Sequence, residues 1–208
     1  KDIKKLQPFL RKKILIDIKQ ISKKKYFRNL NLNNSPLLMG ILNLTPDSFS
    51  DGGKFLRKNL GYRHAKKLVK DGCSIIDIGG ESTRPGSKEI SPKNEWKRIY
   101  ITLSKLKNLR NIISLDTRNS LVMKLGIKKN VKLINDVSGL NHDPETINLL
   151  KKTRIPFIVH HMQGKPMTMQ INPKYKNVLL DIYDYFENCL NYKLKGHNLI
   201  LDPGIGFG

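Results

Sequence analysis

The sequence predicts an α/β fold, a (β/α)8 barrel of the TIM type with about six of its eight βα units present. Three observations carry that prediction. From Pro36 onward, short apolar runs ending in a polar residue alternate with longer stretches of helical period, the signature of βα units and a parallel sheet. Asn43, Asp77, Asp116, Asn135-Asp136, His160-His161 and Asp202 fall at or near the C-terminal ends of successive strand candidates, and in a barrel these ends converge on the face that carries the active site. A doubly wound open sheet also puts its sites at carboxyl strand ends, but no G-x-G-x-x-G loop opens the first helix here.

Taken in order, residues 1–36 form a basic extension, and residues 37–208 carry the βα pattern. The strand candidates are Leu37–Asn43, Ser74–Ile78, Ile112–Asp116, Val131–Asn135, Ile155–His160 and Asn198–Asp202. Helical spacing links Leu60, His64, Leu68 and Val69, then Trp96, Ile99, Leu103 and Leu106, then Val178, Ile182, Phe186 and Leu190. Ser91 before Pro92 and Asp143 before Pro144 each read as an N-cap followed by proline in the first turn. The chain opens on Lys1 and closes after the sixth strand, so it is expected to be part of a longer product whose remaining units would cover the open apolar edges.

The 208 residues include 39 Lys or Arg and 17 Asp or Glu, a formal charge of +22. That charge suits phosphate neutralisation by a nucleic-acid binder. The 30 Lys against 9 Arg, with abundant Asn and Ile, instead suit an adenine- and thymine-rich genome writing lysine onto a tolerant surface, and no nucleic-acid partner is assigned. No apolar run approaches the roughly 20 residues that cross a bilayer. Residues 1–36 lack the apolar core and cleavage site of a secretory signal, while their basic character leaves an organelle-targeting segment open. Cys73 and Cys189 show neither metal-ligand nor redox spacing, which fits a reducing cytoplasm.

Two loops carry candidate chemistry. Asn43-Leu-Thr-Pro-Asp-Ser-Phe-Ser-Asp-Gly-Gly53 is long for a turn and reads as a binding loop or lid. Gly79-Gly-Glu-Ser-Thr-Arg-Pro-Gly-Ser87 places Arg84 among glycines and hydroxyls, which suits phosphate or pyrophosphate oxygens; a surface ion pair is the plainer reading of Arg84. If the barrel holds, Asp116, Asn135 and Asp202 face inward and need partners, which a planar heterocycle with adjacent N–H donors would supply. Metal ligation is the other candidate for the aspartates. Of His160 and His161 only one looks into the barrel, because adjacent strand residues point to opposite faces.

Met39–Gly53 resembles the first signature of the dihydropteroate synthase family, and Ile76–Ser87 resembles the second. The resemblance runs in family order through Ser114–Thr117, Ile134–Gly139, His161–Pro166 and Leu201–Gly208, with Leu44 where Val is usual. It implies condensation of 6-hydroxymethyl-7,8-dihydropterin diphosphate with 4-aminobenzoate, giving 7,8-dihydropteroate and pyrophosphate in folate biosynthesis. In such enzymes the C–O bond breaks early and the arylamine attacks a resonance-stabilised pterin cation. Carried over residue by residue, Asp116, Asn135 and Asp202 would hold the pterin, with Ile41, Val137, Met162 and Phe207 as apolar walls. Asn43, with Mg2+, and Thr83 and Arg84 would stabilise the diphosphate; Phe49, Asp51 and Pro85 would close over the aminobenzoate. The family's Ser-Arg-Lys-type and Arg-x-His motifs and its dimer helices are not in these 208 residues, so activity and homodimerisation are expected of the full-length product.

Three rival readings stand beside this one. A pterin methyltransferase on a similar barrel would need neither Ser82-Thr83-Arg84 nor the lid loop. A non-catalytic pterin-binding relic would bind pterin without releasing pyrophosphate. A nucleic-acid binder would show strong, salt-dependent retention on DNA.

Overall fold

The computed structural model describes residues 3–22, 26–27, 30–31, 36–45, 59–82, 87, 89–164, 168–190 and 199–207. The chain divides into two compact units, Lys1–Leu37 and Leu38–Gly208. The first holds a 3-10 turn (Ile3–Lys5), helix α1 (Pro8–Ile21) and a short antiparallel pair, β1 (Tyr26–Phe27) with β2 (Leu30–Asn31). Proline opens α1 in the first turn, where its missing N–H costs nothing.

The second unit alternates strand and helix throughout. Its strands are β3 (Met39–Asn43), β4 (Ile75–Gly79), β5 (Ile112–Asp116), β6 (Leu133–Asp136), β7 (Phe157–His160) and β8 (Leu199–Asp202). They form one six-stranded parallel sheet in the order β3-β4-β5-β6-β7-β8. Right-handed crossovers between successive neighbours put every helix on the same face. Sequential order without a reversal therefore excludes the doubly wound alternative and makes the sheet an arc of a barrel.

Among the described residues five helices cover the outer face: α2 (Leu60–Lys70), α3 (Pro92–Leu106), α4 (Ser120–Lys128), α5 (Glu145–Thr153) and α6 (Val178–Asn188). Leu42, Ile76, Ile78, Ile113, Leu115, Ile134, Phe157 and Val159 point towards them and join Ala65, Ile99, Leu103, Leu106, Val122, Met123 and Leu150 in one apolar core. Small residues let the layers touch: a Cβ on Gly61 of α2 would lie 2.6 Å from Thr102 Oγ1 of α3. In α6 only Ile182 and Phe186 of the expected stripe pack on the core, while Val178 stays half exposed.

Helix starts follow the capping chemistry. Ser91 Oγ accepts the Asn94 N–H at 3.3 Å with Pro92 in the first turn, as anticipated. α5 begins at Glu145, with Pro144 already helical, and Asp143 Oδ1 accepts the Glu145 N–H at 3.0 Å. The other oxygen of Asp143 accepts the Ser120 N–H at 2.8 Å, so one carboxylate caps the starts of both α4 and α5. Among the described residues no helix is long and apolar enough to cross a membrane.

Candidate active site

With one alternating set of positions in each strand committed to the helices, the other set faces the barrel interior. Register pairs Asn43 with Gly79, Gly79 with Asp116, and Asp116 with Asn135, which places these four residues in one layer of the inner face. Ile41, Asp77 and Ser114 form the layer beneath. A Cβ on Gly79 would stand 3.1 Å from Asp116 Oδ2 and 3.2 Å from Asn43 Oδ1, so the glycine leaves both side chains room above β4.

The floor of this face is rich in acceptors, with the Ser114 hydroxyl buried beside Asp77. Asn135 Nδ2 donates to Asp77 Oδ2 at 2.9 Å. Asp77 Oδ1 and Asn135 Oδ1 are buried and have no hydrogen-bond partner. Unpaired buried acceptors are costly, and at a site they mark where a ligand's donors belong. Burial pushes the Asp77 carboxyl above its usual range. Asp116 is pushed well above it, by burial first and then by the charges of Asp77, Glu95, Asp136 and Glu81.

Further round the arc, His160 looks inward and His161 outward. His160 Nε2 stands 3.7 Å from Asp202 Oδ2, and its ring meets Phe207 edge-on at 4.5 Å. The buried Nδ1 of His160 is another polar atom without a partner. His161 packs edge-on against Tyr185 at 5.0 Å. Asp202 Oδ1 accepts the Gly204 N–H at 2.9 Å, which fixes the turn after β8. Asn135 and Asp136 part in the same way: Asp136 is buried and holds the next turn through the Ser138 N–H at 2.8 Å and the Leu140 N–H at 3.2 Å.

The structure thus gathers Asn43, Asp116 and Asn135 on one layer and places Asp202 and Phe207 beside His160. Ile41 is exposed on the inner face of β3, Val137 is buried just after β6, and Met162 is half-buried after β7. Thr83, Arg84, Pro85, Phe49 and Asp51 lie outside the described residues. Among the described residues no group of three or more His, Cys, Asp or Glu side chains has metal-ligand geometry.

Residues 39–208 match the protein family described as pterin binding enzyme. The chain belongs to that family. It is 40% identical over 181 residues to the dihydropteroate synthase of Neisseria meningitidis serogroup B, a match covering 84% of this chain and 64% of that one. The crystal structure of the Yersinia pestis dihydropteroate synthase with a sulfonamide drug superposes with a TM-score of 0.80 at 36% identity, over 89% of this chain and 69% of that one. The Burkholderia cenocepacia dihydropteroate synthase complexed with 7,8-dihydropteroate gives a TM-score of 0.72 at 31% identity, over 86% of this chain and 62% of that one. The chain spans about two thirds of the length of the curated relatives it matches.

The structure of this family member adds side chains to which sequence reasoning assigned no role in the site. Asp77 stood among the strand-end polar residues, and its alternation with Ile76 and Ile78 marks it as inward-facing. Glu81, Glu95, Arg118 and Asn119 meet only through the fold, and no local signal marks them. Glu95 is fully buried and accepts a hydrogen bond from Asn119 Nδ2 at 2.7 Å. Burial is the main cause that raises its carboxyl to about 7, with the Thr117 and Asn119 side chains acting against it.

Proposed function

We propose that this chain carries the pterin-binding part of a dihydropteroate synthase, which joins 6-hydroxymethyl-7,8-dihydropterin diphosphate to 4-aminobenzoate and releases pyrophosphate. The observation that carries the reading is the acceptor-rich inner face: Asn135 Oδ1 unpartnered, Asp116 beside it in one layer and Asp77 in the layer beneath. A pterin ring presents adjacent N–H groups to such acceptors, and an ionised carboxylate accepts two of them in parallel. Asp202 completes the acceptor set, and Ile41, Val137, Met162 and Phe207 supply apolar contact to the ring faces. The solved relative with 7,8-dihydropteroate bound supports a pterin in this family's barrel.

The chemistry follows from charge. Breaking the C–O bond to the diphosphate leaves positive charge on the pterin methylene, which ionised Asp77 and Asp116 would stabilise. The neutral arylamine then attacks, forming the C–N bond and losing one proton to solvent. Thr83 and Arg84 hold the departing diphosphate, while Phe49, Asp51 and Pro85 exclude water from the cation and orient the aminobenzoate. Asn43 would offer its amide oxygen to a magnesium ion, a hard cation that needs few protein ligands. Such an ion would supply charge neutralisation to the leaving group. A homodimer and a cytoplasmic setting go with the same reading, and Cys73 and Cys189, neither of them in a disulfide, suit a reducing compartment.

Calorimetric titration with the pterin diphosphate, followed by a pyrophosphate-release assay with and without 4-aminobenzoate, tests the proposal. Binding with release that depends on 4-aminobenzoate is the expected result. Binding without release in the full-length product leaves a pterin binder, and no binding overturns the reading.

A further inference from the structure

The turn after β8 is folded against one buried imidazole. His160 ends β7, pairs in register with Asp202 of β8 and is 5% exposed. Phe157 and Val159 belong to the core under the helices, so His160 falls on the inner face. Its ring faces three residues of the 202–207 turn. Nε2 stands 3.7 Å from Asp202 Oδ2, within ion-pair reach but beyond a hydrogen bond. Cε1 lies 3.0 Å from where a Cβ on Gly204 would stand, and the Phe207 ring meets the imidazole edge-on at 4.5 Å. The backbone here is held separately: the Tyr185 hydroxyl donates to the His160 carbonyl at 3.1 Å, and the His161 N–H donates to the Asp202 carbonyl at 2.9 Å.

Packing alone does not account for an imidazole at this place. Nδ1 is buried without a hydrogen-bond partner, a cost that an apolar side chain of similar size would not carry. What the ring adds is Nε2, and the Asp202 carboxylate beside it favours the tautomer with the proton there. Asp202 Oδ1 accepts the Gly204 N–H at 2.9 Å, which leaves Oδ2 to take a ligand's donors. We propose that His160 is a positioning residue: Nε2 orients the Asp202 carboxylate and the ring seats Phe207, so that acceptor and apolar wall meet the pterin together. This rests on the function proposed above and deepens it with a residue that acts through Asp202.

The test uses the full-length product with the pterin diphosphate as probe, reading affinity by calorimetry and stability by thermal melt. His160→Leu is expected to bind about tenfold more weakly, the worth of one hydrogen bond to a charged group, with a melting temperature equal to the parent's or higher. His160→Gln returns a donor near the place of Nε2 and should recover affinity to within about threefold of the parent. In an Asp202→Asn background, His160→Leu is expected to cost less than about twofold, because the carboxylate that the ring orients is gone. Parental affinity in His160→Leu, a melting temperature well below the parent's, no gain in His160→Gln over His160→Leu, or an undiminished loss in the Asp202→Asn background would each overturn the positioning role. Failure of the parent protein to bind the pterin diphosphate is a different result, which overturns the functional reading and this inference with it.

Discussion

Buried carboxylates occur in two places at the C-terminal end of this sheet, and the two are treated in opposite ways. Glu81 is paired with Arg118 through two hydrogen bonds and is fixed further by the Ile90 N–H. Asp77 keeps one oxygen without a partner, and Asp116 is surrounded by other acids. The paired acid gives rigidity to a loop stem. These incompletely satisfied acids hold free energy that a ligand with donors can release, so the pocket is built at the expense of the empty protein's stability.

That comparison breaks first at Arg118. Removing the guanidinium leaves Glu81 buried and uncompensated, and Arg118→Ala should lower stability by about 3–5 kcal/mol in denaturant unfolding. Glu95 lies on the costly side of the comparison. Its folded carboxyl titrates at about 7 against 4.5 in an unfolded chain, so the folded state keeps a proton that the unfolded state loses. Stability therefore falls as pH rises from 4.5 towards 7, by about 3 kcal/mol in all, and the loss is complete above that window. Thermal melts should show Glu95→Gln more stable than its parent at pH 8 and level with it at pH 4.

A smaller effect sharpens the ligand side. Donors from a bound pterin favour the ionised form of Asp116, whose carboxyl is held well above the usual range by burial and neighbouring acids. Affinity for the pterin should rise with pH above the ordinary carboxylate range, with proton release seen as a buffer-dependent heat in calorimetry. Flat affinity across that range would mean Asp116 does not accept from the ligand.

Much of this could be read from the chain alone. The six strands, the Ser91 cap and the procession of polar residues at strand ends follow from short-range periodicity, which the parallel sheet leaves intact. α4 was not legible: Leu121, Val122, Met123, Leu125 and Ile127 spread apolar residues around the helix, so no single stripe emerges. The inward role of Asp116 and Asn135 could be anticipated from alternation once a barrel was assumed. The Glu81–Arg118 clamp and the burial of Glu95 could not, because their partners come from separate βα units and meet only when neighbouring strands pair.

The most direct test of the central claim, that the inner acids cost stability and serve the ligand, is Asp116→Asn measured twice, by thermal melt at pH 7 without ligand and by titration with the pterin diphosphate. The amide keeps one acceptor but removes the charge that the neighbouring acids oppose. The account predicts an unchanged or higher melting temperature together with affinity weakened roughly 100-fold, the loss of a charge-assisted pair of hydrogen bonds. A lower melting temperature with unchanged affinity would contradict it.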